Sequence, residues 1–96
     1  GNNVFIGPNC TISTAGHPFE VKLRREGLEY AKSITIGSNV WIGMGTQICP
    51  GVTIGDNAVI GAGSVVTGDV PAGWLAFGNP CKPVKAVEEK PVRRIL

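Results

Sequence analysis

The chain has 96 residues, a formal net charge of +2 and a hydrophobic fraction of 43%, with 14 Gly and 7 Pro. So small a charge excess argues against a nucleic-acid partner, the normal apolar content argues against a disordered Gly/Pro-rich polymer, and the absence of an apolar run of spanning length argues against a membrane partner. Cys10, Cys49 and Cys81 are odd in number and form no CxxC pair, which fits neither a disulfide framework nor a zinc site; they read as free thiols in a reducing, cytoplasmic compartment.

The chain opens at Gly1 in mid-repeat, as a piece lacking its amino-terminal part would. Ile6, followed by Gly7, and then Ile12 begin a six-residue period, with Cys10 and Gly16 at the fifth positions of these hexads. Residues 18–33, PFEVKLRREGLEYAKS, break that period; seven of the sixteen are charged, so a loop excursion into solvent is expected. Long loops that interrupt a rigid repeat are often functional.

The period then runs through Ile36, Ile42, Ile48, Ile54, Ile60 and Val66. Gly follows at positions 37, 43, 55 and 61, and the fifth positions are Val40, Thr46, Val52, Ala58, Ser64 and Val70. A period of six has no 3.6-residue component. With positions one and five inward and a turn between, each hexad is a short strand and a corner. Three hexads make a triangular coil of about 18 residues, and coils stack at the ~4.8 Å strand spacing. Stacked coils bury what one repeat cannot. Residues 1–71 are therefore read as an all-β, parallel β-helix. Handedness does not follow from the residues, since parallel crossovers are normally right-handed.

Residues 72–96 are read as a capping segment and tail. Trp74, Leu75 and Phe77 are too apolar for a free tail and are expected to continue the last rung. PVKAVEEK is expected to form a short C-terminal helix with Pro83 in its first turn, capping the open end of the coil. Lys82, Lys85, Lys90, Arg93 and Arg94 gather here against Glu88 and Glu89. Such a cluster is usually solvated; beside a pocket it can hold a phosphate.

His17, in TAGHPFE, is the single histidine. A neutral imidazole can take a proton from a hydroxyl at neutral pH, although a lone loop histidine is more often an ordinary surface residue. Its surroundings change that reading. TAGHP, GLEYAKSITIGSNVWIG, PGVTIGDNAVIGAGSVVTGDVPAG and GNPCKPVK closely resemble the galactoside and maltose O-acetyltransferase family of hexapeptide acyltransferases, from Gly1 to about Val87. The repeats identify only the fold. The HP pair, the charged loop ending in EYAKSITIG and the following NVWIG are more specific.

The resemblance implies a left-handed β-helix, a homotrimer, acetyl-CoA as acetyl donor, no metal, and a small-molecule hydroxyl acceptor such as a sugar. His17 would be the general base, and the backbone N–H of Met44 the oxyanion donor. Trp41 would pack on the pantetheine arm, with Ala62 and Thr67 contacting the cofactor through backbone and small side chains. Gly68 stands where the family commonly has Lys, so that contact would be lost. Lys82 and Lys85 match basic residues near the nucleotide end, as point charges rather than bidentate forks. Glu29 matches a variable position beside the acceptor. Asp56 and Asp69 are better explained as corner formers. Trp41 would equally suit a subunit contact, Met44 a surface turn, and Ala62 and Thr67 ordinary repeat positions. Two readings stay open beside sugar acetylation: transfer to another acceptor (serine, an antibiotic or a sugar nucleotide), and a non-catalytic β-helix scaffold. A γ-type carbonic anhydrase is rejected, because its zinc needs three histidines.

Overall fold

The computed structural model describes residues 1–88. The strands, most of them two residues long, are β1 (Phe5–Ile6), β2 (Thr11–Ile12), β3 (Ala15–Gly16), β4 (Tyr30–Ala31), β5 (Thr35–Ile36), β6 (Trp41–Ile42), β7 (Gln47–Ile48), β8 (Thr53–Ile54), β9 (Val59–Ile60), β10 (Val65–Val66), β11 (Trp74–Gly78) and β12 (Cys81–Ala86), with one helix, α1 (Val21–Arg25). The described chain is built mostly of strands, as the six-residue period predicts.

The pairings define three parallel ladders. One face stacks β1, β6, β9 and β11, a second stacks β2, β7 and β10, and the third pairs β5 with β8 and bridges Ile54 to Val70. In register, Ile6 lies on Ile42 and Ile42 on Ile60; Ile12 lies on Ile48 and Ile48 on Val66; Ile36 lies on Ile54. The aliphatic residues of the period therefore form columns across the coils. Ile42, Ile48, Ile54, Ile60 and Val66 are buried, as are the fifth-position residues Val40, Thr46, Val52, Ala58, Ser64 and Val70. The buried hydroxyls are satisfied: Ser64 Oγ donates to Gly61 O at 2.6 Å and Thr46 Oγ1 to the same carbonyl at 3.3 Å. Ile36 is half-buried, and Ile6 and Ile12 are exposed, because they belong to the first coil and have a neighbour on one side only.

The corners have their own chemistry. Asn3, Asn9, Asn39 and Asn57 turn at φ between 57° and 62°. The equivalent residues of three other hexads are Gly45, Gly51 and Gly63, also at positive φ. This left-handed conformation costs Asn and Gly less than other residues. Three of the asparagines form a ladder, with Asn3 Nδ2 donating to Asn39 Oδ1 at 3.4 Å and Asn39 Nδ2 to Asn57 Oδ1 at 3.3 Å.

The 18–33 excursion leaves from within the first coil, between its second side, β2, and its third, β5. It contains α1 and returns through an antiparallel pairing of β3 with β4. The expected carboxy-terminal helix does not form over the described part of PVKAVEEK; the last two residues, Glu89 and Lys90, lie outside the described residues. Trp74, Leu75 and Phe77 continue the rung as expected, in β11, which pairs parallel with β9. β12 then folds back antiparallel on β11, and residues 83–86 are strand. The free edge of β11 explains this outcome, since pairing there satisfies backbone groups that an isolated short helix would leave at its ends. Pro83 is tolerated because the register shifts there: Leu75 faces Lys85 and Ala76 faces Pro83, leaving Val84 as the extra residue of a bulge. No helix among the described residues is long and apolar enough to cross a membrane.

Candidate functional site

The first face carries an open groove of about 530 Å³. Its floor follows from the repeat. Gly7, Gly43 and Gly61 occupy the position after the inward aliphatic of the repeat, where adjacent coils come together. A Cβ on Gly43 would lie 2.6 Å from Ala62 N, and one on Gly7 would lie 2.6 Å from Met44 N. Only a residue without Cβ lets the backbones approach that closely. The walls are apolar: Trp41, Met44, Val59, Ala62 and Leu75. Trp41 is 58% exposed, consistent with its outward direction in the repeat. A second cavity of about 410 Å³ shares Trp41, Val59 and Leu75 with the first and adds Lys85, Val87 and Glu88. The two form one trough, apolar along its length and charged at one end.

Four of the candidate cofactor residues, Trp41, Met44, Ala62 and Lys85, thus line one surface. Thr67 and Gly68 do not. They follow β10, which belongs to the second face. Lys82 sits in β12 opposite Phe77 and also lies outside the trough lining.

His17 lies elsewhere. It follows β3 directly and lines a separate cavity of about 310 Å³ with Pro18, Phe19, Tyr30 and Lys32. That cavity shares no residue with the trough. His17 is exposed. The ammonium of Lys32 stands 5.1 Å from the centroid of the Tyr30 ring. Glu29, exposed and just before β4, is not among the lining residues. Within one chain, then, the base candidate and the trough are apart. Tyr30 and Lys32 were not singled out from the sequence; their position one strand across from GHP is a consequence of the β3–β4 pairing.

Burial raises the Cys81 thiol above its ordinary value, partly offset by a hydrogen bond with the Ser64 side chain. Cys10 Sγ donates to Gly43 O at 3.3 Å beneath the trough floor.

An apolar trough with Lys85 beside Glu88 at one end suits a long, mostly apolar ligand whose polar end the lysine can meet. Comparison with known proteins identifies the family. Residues 33–68 match the family described as bacterial transferase hexapeptide (six repeats). Over 90 residues the chain is 52% identical to a galactoside O-acetyltransferase of Escherichia coli K12, covering 94% of this chain and 44% of that one. A maltose O-acetyltransferase structure from Clostridium difficile 630 superposes with a TM-score of 0.88 at 56% identity, over 91% of this chain and 46% of that one. A galactoside acetyltransferase structure, solved in complex with coenzyme A, gives a TM-score of 0.89 at 53% identity, over 92% and 44%. The chain carries the repeat of the bacterial hexapeptide transferases and is a homologue of the galactoside and maltose O-acetyltransferases. It spans somewhat less than half the length of these relatives.

Proposed function

We propose that the protein containing this chain is an acetyl-CoA-dependent O-acetyltransferase acting on a hydroxyl of a sugar or similar small acceptor. The observation that carries this reading is the glycine-floored trough of Trp41, Met44 and Ala62, with Lys85 at its charged end, in a chain homologous to O-acetyltransferases. The pantetheine arm lies along the apolar walls, and Lys85 meets the phosphates of the nucleotide end, with Lys82 near. The coil is left-handed, as the resemblance implies.

His17 is the general base. It takes the proton of the acceptor hydroxyl as that oxygen attacks the thioester carbonyl. The tetrahedral oxyanion is stabilised by the Met44 N–H, because a preorganised backbone donor acts where the charge develops. Collapse expels coenzyme A as thiolate, which recovers the proton from the imidazolium. No covalent acyl-enzyme is required. Since His17 and the trough lie apart within one chain, the active site forms between subunits of a homotrimer, with His17 of one facing the trough of another. Glu29 lies on the acceptor side. The free thiols fit a cytoplasmic setting.

The test uses the full-length protein. His17→Ala should lower kcat for acetyl transfer by about 10²–10⁴-fold, the usual contribution of a general base. Coenzyme A should still raise the thermal midpoint of that variant, because ligand binding to the native state stabilises it. Full activity in His17→Ala would remove the base. No midpoint shift with coenzyme A, in variant and parent alike, would favour a scaffold.

A further inference from the structure

We infer that Tyr30 and Lys32 are positioning residues for His17: the loop's returning strand, and not the coil, fixes where the imidazole points. The inference rests on the general-base reading above. Among the described residues no hydrogen bond holds His17, and Tyr30 and Lys32 line the same cavity as its side chain. The packing available is specific. In the β3–β4 pair Gly16 lies directly opposite Tyr30. A Cβ on Gly16 would overlap the phenol end of the Tyr30 ring at Cζ and the hydroxyl. The ring therefore lies against the Gly16 Cα, one residue before His17, and forms a wall of the same cavity. An aromatic ring packed over a cross-strand glycine is a stabilising pair.

Lys32 holds that ring in turn. Its ammonium stands over the ring at 5.1 Å. Its stem passes over Gly51, where an added Cβ would lie 3.3 Å from Lys32 Cδ. Its backbone is fixed on both sides: Lys32 N donates to Thr14 O at 2.8 Å, and Gly51 N donates to Lys32 O at 3.2 Å. Lys32 thus joins the excursion to the corner of the second coil, and Tyr30 carries that placement across to Gly16, next to His17. A misplacement of about 1 Å at a catalytic group can cost on the order of 10²-fold in rate.

The experiment measures acetyl transfer by the full-length protein and its Tyr30→Ala, Tyr30→Phe, Lys32→Met, Gly16→Ala and His17→Ala variants. Tyr30→Ala should lose about 10–100-fold in kcat, with the KM for acetyl-CoA unchanged, since the trough shares no residue with this cavity. Tyr30→Phe keeps the ring and should restore most of that rate. Gly16→Ala displaces the ring without touching Tyr30 and should give a similar kcat loss. The double variant Gly16→Ala/Tyr30→Ala should be no worse than either single one, as expected of coupled residues. Lys32→Met keeps the stem but not the cation and should fall between parent and Tyr30→Ala. An unchanged kcat in Tyr30→Ala, beside a large loss in His17→Ala, would overturn this inference alone. So would equal losses in Tyr30→Phe and Tyr30→Ala, which would make the hydroxyl a participant, or a parallel rise in the KM for acetyl-CoA, which would make the effect global. Full activity in His17→Ala would overturn the inference together with the reading beneath it.

Discussion

Truncating Ile54 tests the frame of the whole coil. Ile54 is fully buried, pairs in register with Ile36 on one side and bridges to Val70 on the other. Ile54→Ala removes three carbon groups, about 2.4 kcal/mol of transfer free energy at ~0.8 kcal/mol each. The backbone ladders on both sides restrain collapse into the space, so the cavity term brings the cost to about 3–4 kcal/mol. A domain of this size has a total stability of about 5–15 kcal/mol. With each kcal/mol moving the midpoint by about 4–8 °C, the expected drop in Tm is roughly 12–32 °C. Thr53, one residue earlier, faces solvent. Thr53→Ala should cost under about 1 kcal/mol. Thermal unfolding followed by circular dichroism reads both. A one-residue slip in the frame would exchange the two faces of every strand. Equal or reversed effects at positions 53 and 54 would therefore refute the argument, as would a stable Ile54→Asp variant, which buries a carboxylate among aliphatic side chains.

Gly43→Ala and Gly63→Ala should behave differently, although both glycines sit beside the same coils. The first drives a Cβ into the Ala62 backbone at 2.6 Å and should cost about 1–3 kcal/mol while weakening coenzyme A binding in a titration. The second meets nothing within 4 Å and only strains a φ of 71°, costing about 1 kcal/mol with binding intact. Lys85→Ala should weaken coenzyme A binding about threefold to tenfold at low salt, and the parent's affinity should fall more steeply with salt than the variant's. Because burial raises the Cys81 thiol, less of it is thiolate at a given pH. Alkylation at pH 8 should be slower than for a free thiol, should quicken as pH rises, and should reach the free-thiol rate in denaturant.

The repeat was fully legible because its signal is local. Burial alternates within each hexad, so Ile42, Ile48, Ile54, Ile60 and Val66 announce the interior columns without reference to anything distant in the chain. The fourth position held a further signal: Asn39, Gly45, Gly51, Asn57 and Gly63 are the residue types that turn at positive φ, and they mark the corners. Trp41, Met44, Ala62 and Lys85 could be named as a group through the family resemblance. Their convergence on one trough depends on coil stacking, which brings residues 7, 43 and 61 side by side. Three matters were decided only by tertiary structure. PVKAVEEK, from Pro83, reads as a short helix, but an unpaired edge of β11 offered residues 83–86 hydrogen bonds, and a bulge accommodated Pro83. The excursion reads as charged solvent loop, yet its returning leg pairs as β4 with β3, just before its departure, and brings Tyr30 and Lys32 to the same cavity as His17, since closing a loop between adjacent coil corners forces the chain before and after it together. The third is where the His17 cavity sits: the family resemblance implied only that His17 of one subunit faces the groove of another, whereas the corner from which the loop departs and the face that carries the groove are related by the turning of the coil.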